Sequence, residues 1–358
     1  MSPQPEADYL WDRSGRDPAV ERLERLLAPL ALRPGAAPST TMHALPRARH
    51  RVRGVLALAA AASLLLAAGG WIALQWRVAW PDGSPWPVQA VRGEVRIDDQ
   101  RLVGAGALPV GATIATADDA VASVQIARIG VAQLGPGTRV QLQRTRRGGH
   151  RLRLDEGTLW SRVWAPPAHF GVHMPAAEAI DLGCEFLAHA DRDGSGWVSV
   201  RSGWVLLDGV GHEVLVPAGA RVRLAPGGVP GLPHDERASG AFVAALNDIE
   251  SIATPDGIDD ARLARLLGAA RPADAISLLS LLARAPRLAD GPLFDHLQRQ
   301  WPTLGVDRAA VRAGAPHALE PWWQALPYPR AKRWWLHWRD ALPAEAPDIL
   351  QAQVMRDG

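Results

Sequence analysis

The sequence is poor in two residue types that often build reactive sites. Cys184 is the only cysteine and Lys332 the only lysine among 358 residues. A single cysteine excludes an internal disulfide and a zinc site made of several thiolates. A phosphate-binding loop of the Gly-x-x-x-x-Gly-Lys type is also excluded, because Lys332 does not stand in such a motif. We therefore expect Cys184 to be a buried structural thiol.

The charged residues do not indicate a nucleic-acid binder. Thirty-nine basic and 37 acidic residues leave a formal net charge of +2, and basic charge must be clustered to attract nucleic acid. Arg330, Lys332 and Arg333 do stand beside tryptophans, a combination found in single-strand binding sites. Packed indole rings flanked by solvated arginines explain the same residues. The location outside the cytoplasm that we expect for these residues also argues against nucleic acid as a partner.

Three groups of residues could carry chemistry, and none is complete. His169 and His173 would share one face of a strand, but no third metal ligand accompanies them. Asp181 and Glu185 pair two carboxylates without a sign of a cleft. Residues 191–196 begin like a calcium loop, but the twelfth position lacks its bidentate glutamate, and a hairpin turn explains them equally well. We therefore expect no enzymatic activity, no metal and no cofactor.

One long stretch of the chain contains no charged residue. Residues 54–76 are long enough to cross a hydrocarbon core of about 30 Å and are apolar on all faces, unlike an ordinary surface helix. A cleaved signal peptide is the alternative, but such peptides begin at the N-terminus and have shorter apolar cores. The arginines at 47, 49, 51 and 53 predict that the N-terminal side is cytoplasmic. We therefore expect a bacterial inner-membrane protein with one transmembrane helix and a periplasmic bulk.

Residues 1–53 are predicted to form a cytoplasmic tail with one short amphipathic helix. Asp17 and Pro18 make a favourable helix start, and the apolar residues that follow fall on one face. A helix this short is marginal alone in water, so that face needs a cover, either the membrane surface or a cytoplasmic protein. The residues expected to bind such a protein are Leu10, Trp11, Val20, Leu23, Leu26, Leu27 and Leu30.

Between residues 88 and 226 short runs alternate apolar and polar residues, and turn residues separate the runs. Alternation with a period of two is typical of a half-buried strand. Many short strands with regular turns favour an antiparallel sandwich or roll. The clearest runs are Val95–Ile97, Ser123–Ile126, Arg139–Leu142, Arg151–Leu154, Trp197–Val200 and Arg221–Leu224.

Beyond a break at residues 227–239 the apolar period becomes helical. Proline interrupts the helical runs every one to two dozen residues, which indicates short helices with tight connections. Residues 240–358 therefore predict a small all-α domain of antiparallel helix pairs. The fold class is mixed: one transmembrane helix, then an all-β domain, then an all-α domain. The apolar stripes run from Phe242 to Ile249, Leu263 to Leu267, Ile276 to Leu282 and Leu293 to Leu297.

The β region resembles the FecR family, the membrane-anchored sensors and anti-sigma factors of bacterial envelope signalling. No single segment is specific, but the order of the segments is, and the apolar stretch stands where the family has its membrane helix. Cys184 departs from the family pattern, which usually has threonine there. The segments that carry the resemblance are Val91–Val95, Leu108–Ile114, Ala120–Ile126, Leu134–Thr138, Leu154–Trp160, Ala168–Val172, Ala179–Phe186 and Val198–Val205.

The resemblance implies a regulator that senses an envelope signal and controls a cytoplasmic partner, an extracytoplasmic-function sigma factor in the family. Residues 240–358 stand where receptor-coupled members have a further receptor-contacting domain, so an outer-membrane receptor is not implied. The alternative is an envelope binding or scaffold protein without signalling, with a polysaccharide, peptidoglycan or protein ligand. The two hypotheses differ in whether residues 1–53 are needed for function.

Overall fold

The computed structural model describes residues 18–27, 60–72, 79–252 and 257–328. The chain divides into two compact units, residues 1–67 and residues 68–358. The first unit contains helix α1 (Pro18–Leu27). Its start at Pro18 agrees with the helix start predicted from Asp17 and Pro18, since proline suits the first helical turn.

The predicted transmembrane segment is described only in part. Residues 60–72 are helical and exposed, whereas 54–59 and 73–76 lie outside the described residues. Among the residues that the structure describes, no helix is both long and apolar enough to cross a membrane.

The larger unit begins with a β domain, which we define by its strands at residues 86–235. Each of the six predicted runs lies inside one of these strands, and β6 shows strict alternation of half-buried and buried residues. The strands are β1 (Trp86–Arg92), β2 (Val95–Ile97), β3 (Gln100–Arg101), β4 (Ala105–Leu108), β5 (Thr113–Thr116), β6 (Val121–Ile126), β7 (Gly130–Leu134), β8 (Arg139–Arg146), β9 (Gly149–Val163), β10 (Phe170–His173), β11 (Ala177–Asp181), β12 (Glu185–Ala190), β13 (Gly196–Ser202), β14 (Trp204–Gly209), β15 (His212–Pro217), β16 (Ala220–Leu224) and β17 (His234–Asp235).

The strands form two sheets that share the long strand β9. The first sheet runs β4–β1–β6–β7–β9–β12–β13–β16–β17. The second runs β3–β2–β5–β8–β9–β10–β11–β14–β15. The inward side chains of both sheets make one hydrophobic core. This confirms the predicted β architecture, with one refinement: β9 and β10 pair in parallel, with Phe170 opposite His150.

The parallel pair requires β9 to bend. A straight strand from His150 to Val163 would be about 43 Å long at 3.3 Å per residue. The connection from Val163 back to Phe170 spans at most about 25 Å. Gly157 allows the bend because its φ is +91°, a conformation that residues with a side chain rarely adopt. The N-terminal half of β9 therefore pairs in the second sheet, and the C-terminal half of β9 pairs in the first.

A helical domain follows, which we define as residues 239–328. Three helices begin at capping side chains. Ser239 accepts from the Phe242 N–H at 3.2 Å, Asp259 accepts from the Arg262 N–H at 2.8 Å, and Asp307 accepts from the Ala309 N–H at 2.9 Å. The apolar stripes predicted from the sequence face a second hydrophobic core. The helices are α2 (Gly240–Glu250), α3 (Asp260–Ala269), α4 (Ala275–Arg284), α5 (Pro292–Gln300), α6 (Arg308–Arg312) and α7 (Glu320–Ala325).

The segment between the two domains is more ordered than the sequence suggests. Residues 227–239 read as a break, but they include β17, which pairs with β16. Carbonyl groups of this segment accept hydrogen bonds from α4: Ser277 Oγ donates to the Pro233 oxygen at 2.7 Å, and Arg284 donates to the Pro230 oxygen at 2.8 Å. Two residues are too few for an alternation to be visible, so β17 has no signal in the sequence.

Candidate functional site

A cleft of about 750 Å³ lies between the β domain and the helical domain. One wall is formed by β14 and β15, and the other by α4, α7 and the residues after α7. Ligand sites usually have volumes of 300–1,000 Å³ and a mainly apolar lining with a few polar groups. Its lining includes Trp204, Glu213, Leu215, Trp323 and Tyr328.

The β wall of the cleft is unusually apolar for the outer face of a sheet. Val205 and Leu207 point into the core, so Trp204 and Leu206 must point outward. On the neighbouring strand Val214 and Val216 are buried, whereas Leu215 is 40% exposed. An outward face would ordinarily carry polar residues. The apolar residues here therefore indicate a surface that contacts something other than water alone.

The aromatic side chains of the cleft are partly fixed by each other. The rings of Trp204 and Tyr328 meet edge to face, with centroids 6.1 Å apart and planes at 77°. Burial, together with the carboxylates of Asp235 and Asp274, raises the pKa of Tyr328 to about 12. The phenol therefore keeps its proton throughout the physiological range and can donate a hydrogen bond.

Arg284 joins the floor of the cleft to the inter-domain segment. Its guanidinium donates to the Pro230 oxygen at 2.8 Å and the Gly231 oxygen at 3.2 Å. Burial lowers its pKa, and the charge of Glu250 opposes that shift. The Glu250 carboxylate accepts from the Leu232 N–H, while burial raises the pKa of Glu250. This polar cluster ties the helical domain to the inter-domain segment.

The leucines predicted to bind a cytoplasmic partner are exposed where the structure describes them. On α1 the exposed fractions are 61% for Leu23, 69% for Leu26 and 52% for Leu27. Val20 lies on the same helix. The other predicted contacts, Leu10, Trp11 and Leu30, lie outside the described residues.

The central part of the β domain matches a known family model. Residues 112–206 match the model described as "FecR protein". The chain contains a FecR domain. The resemblance identified from the ordered sequence segments is thus confirmed for these residues, and it supports a regulatory role. None of the curated proteins compared with the chain matches it.

Two crystal structures of a candidate anti-sigma factor from Parabacteroides distasonis are similar to this chain. The structure at 1.65 Å resolution shares 20% identity, covers 44% of this chain and 74% of that chain, and has a TM-score of 0.31. The structure at 2.50 Å shares 21% identity, covers 43% and 73%, and has a TM-score of 0.30. Both TM-scores are well below 0.5, so the assignment rests on the family match.

The cleft lies at the C-terminal border of the FecR domain. The family match ends at residue 206, within β14, so Trp204 belongs to the FecR domain. Strand β15 and the helical wall lie beyond the match. The site therefore combines a surface of the FecR domain with elements that lie beyond the family match. Sequence reasoning missed it, although the outward positions of Trp204 and Leu215 were a usable signal.

The carboxylate and thiol noted in the sequence meet inside the FecR domain. Asp181 Oδ1 accepts from the Cys184 N–H at 2.8 Å and from Cys184 Sγ at 2.6 Å. Burial raises the pKa of Asp181 to about 7. Burial, and then the Asp181 charge, raise the pKa of Cys184 well above its usual value. A thiol that stays protonated is a poor nucleophile, and full burial agrees with the structural role predicted for Cys184.

The other sequence candidates do not come together as metal sites. Among the described residues, no group of three His, Cys, Asp or Glu side chains could hold a metal ion. Residues 191–196 form the turn between β12 and β13, where Asp193 accepts from the Ser195 N–H at 2.8 Å. His173 faces Glu178 at 3.9 Å. The turn interpretation of residues 191–196 is therefore confirmed.

Proposed function

We propose that this chain is a single-pass regulator of the bacterial inner membrane. In this proposal residues 54–76 cross the membrane, residues 1–53 face the cytoplasm, and the FecR and helical domains face the periplasm. The FecR match carries the proposal, and the uncharged stretch and its arginine flank support the orientation. The role is regulatory and not catalytic.

We propose further that α1 holds a cytoplasmic regulator, an extracytoplasmic-function sigma factor. Three exposed leucines on one face of a ten-residue helix support this. An isolated helix of that length is barely stable in water, so a partner that covers the leucines would also stabilise the helix. The sigma factor bound to α1 would be released when the periplasmic domains detect their signal.

The test compares two double variants of the full-length chain in the cells that express it. Leu23→Ser with Leu26→Ser removes the apolar face of α1. Glu21→Ser with Arg25→Ser changes the opposite face and serves as the matched control. We expect the leucine variant to lose the co-purified sigma factor and to change the transcript profile, and the control to keep both. Equal recovery of the sigma factor with both variants would contradict the proposal.

The inter-domain cleft favours a second candidate function, a periplasmic binding protein without signalling. That function needs the cleft but not the tail. Replacing residues 1–53 with an unrelated basic tail separates the two candidates. We expect the replacement to abolish transcriptional control while leaving the membrane anchor intact. An unchanged transcript profile would favour the binding protein.

A further inference from the structure

Strand β15 has one edge without a partner strand among residues 79–252 and 257–328. It pairs with β14, from Gly209 opposite His212 to Trp204 opposite Pro217. The next strand, β16, cannot pair with it, because β13 and β17 occupy both edges of β16. An unpaired edge presents a row of N–H and C=O groups that can bind another extended chain.

The hydrogen-bond alternation shows which backbone groups of β15 point outward. The Ala218 N–H donates to the Gly203 oxygen at 3.0 Å, which makes residues 203 and 218 a hydrogen-bonded pair. In an antiparallel ladder such pairs alternate with pairs that turn their N–H and C=O groups away. Glu213 and Leu215 are therefore the residues whose backbone groups face the unpaired edge.

The cleft runs along this edge. The outward side chains of Glu213 and Leu215 line it, and so does the buried Val214 between them. Side chains from both faces of a strand can line one cavity only if the cavity lies beside the strand edge. Trp323 of α7 lines the opposite wall, so the cleft has an unpaired strand on one side and an aromatic ring on the other.

The charges around the edge are acidic. Glu178, Asp208 and Glu213 lie side by side across β11, β14 and β15. Arg151 pairs with Glu178 at 2.5 Å, but among the described residues no ion pair involves Asp208 or Glu213. Like charges directly opposite each other on adjacent strands are destabilising. A cationic side chain placed beside Asp208 and Glu213 would relieve that repulsion.

We propose that the cleft binds an extended, basic peptide segment of a partner protein as an added strand along β15. Backbone hydrogen bonds to Glu213 and Leu215 would hold the segment, as in other complexes formed by strand addition. A basic side chain of the segment faces Asp208 and Glu213, and an aromatic or large aliphatic side chain lies between Trp204 and Trp323. This proposal does not depend on the membrane orientation or on a sigma factor.

The experiment begins with a library of short random peptides, displayed on phage and selected on the purified full-length chain in mild detergent. We expect enriched peptides that alternate aromatic and basic residues. The best peptide is then synthesised, together with a copy whose backbone nitrogens are methylated at every second residue. Methylation removes N–H donors without changing the side chains, so we expect about tenfold weaker binding by fluorescence polarisation.

Two pairs of variants test the edge and the charge. Leu215→Pro removes the outward N–H, and Leu215→Ala retains it, so binding should weaken about tenfold more in the proline variant.

Glu213→Lys should weaken binding about tenfold, whereas Asp99→Lys, on the turn between β2 and β3, should leave it unchanged. Glu213→Gln is the milder substitution and keeps the charge test independent of folding. Circular dichroism checks each variant.

Several results would overturn the proposal. One is a selection in which no peptide is enriched on the protein compared with a support that carries no protein. Another is equal affinity for the methylated and unmethylated peptides, or for Leu215→Pro and Leu215→Ala. A third is binding that appears only in a chain truncated after Tyr328, which would mean that residues 329–358 of the chain itself compete for the cleft.

Discussion

At the scale of single residues, two buried titratable groups of the β domain respond to pH in opposite directions. Thr145 Oγ accepts from Trp86 Nε1 at 3.0 Å and lies 2.8 Å from His150 Nδ1. The Thr145 hydroxyl is therefore best placed to donate to Nδ1, which requires a neutral imidazole. Burial lowers the pKa of His150 to about 4, while burial raises the pKa of Asp181 to about 7.

The signs follow from which state holds the proton. Between pH 4 and pH 7 the folded chain keeps the Asp181 proton that the unfolded chain releases, so the free energy of unfolding falls as pH rises. Between pH 4 and pH 6.5 His150 is protonated in the unfolded chain but not in the folded chain. The contribution of His150 to the free energy of unfolding therefore rises with pH. The two contributions partly cancel below pH 6.5, and Asp181 alone acts just above it.

As pH rises, the Asp181→Asn variant should therefore gain stability relative to the wild type. The amide imitates the protonated acid and still accepts from the Cys184 N–H. From pH 5 to pH 8 we expect the wild type to lose on the order of 2–3 kcal/mol relative to the variant. Urea unfolding followed by tryptophan fluorescence at each pH measures the difference. Asp99→Asn, an exposed control, should run parallel to the wild type; a parallel curve for Asp181→Asn would contradict the prediction.

At the scale of elements, the sequence signal is strong where a strand has one buried face. Arg151–Leu154 alternates and was predicted as a strand, and it lies in the N-terminal half of β9. The C-terminal half was not predicted as part of the same strand, because Leu159–Val163 is buried on both faces and shows no alternation. Periodicity identifies a half-buried strand, but it does not identify a strand that passes from one sheet to another.

Gly157→Ala should destabilise the β domain by about 2–4 kcal/mol. The alanine would adopt an unfavourable positive φ, and its Cβ would collide with the Thr138 backbone and approach the Gly137 oxygen to 2.8 Å. Gly111→Ala is the matched control, since Gly111 has a φ of +89° but no atom near the new Cβ. It should cost only about 1 kcal/mol. Chemical unfolding of both variants measures the costs, and equal values would show that the close approach is unimportant.

The cleft could not be predicted from local patterns for a related reason. Its walls come from β15 and from α7, about a hundred residues apart in the sequence, and periodicity carries no information on how they meet. The helices themselves were predictable, because each places an apolar stripe on the second core. What the sequence did contain was apolar side chains, Trp204 and Leu215, at positions where the alternation places solvent.

At the scale of the whole molecule, a small polar cluster joins the β domain to the helical domain. Arg284 holds two carbonyl groups of the inter-domain segment, and Glu250 holds the Leu232 N–H on the same segment. Across the same junction Ser277 Oγ donates to the Pro233 oxygen at 2.7 Å, and Arg271 forms an ion pair with Asp235 at 3.6 Å. The cluster therefore contributes to the coupling of the two domains.

Arg284→Met should uncouple the two domains during unfolding. Methionine retains much of the apolar volume but leaves the Pro230 and Gly231 carbonyls without their donor, and a buried unsatisfied group costs about 1–3 kcal/mol. We expect one heat-capacity peak for the wild type and two for the variant in scanning calorimetry. Arg299→Met, at an exposed position of α5, should retain the single peak. Identical peaks for both variants would show that Arg284 does not couple the domains.

Because Cys184 is buried, the folded native chain should not react with thiol-labelling reagents. The sole cysteine is fully buried and its thiol is held in the protonated form, so maleimides added to the folded protein find no reactive partner. A cysteine introduced at an exposed position would carry the only label in the molecule. Paired spin labels or fluorophores on cysteines introduced in α1 and β15 could then report the distance between these two elements, without replacement of Cys184.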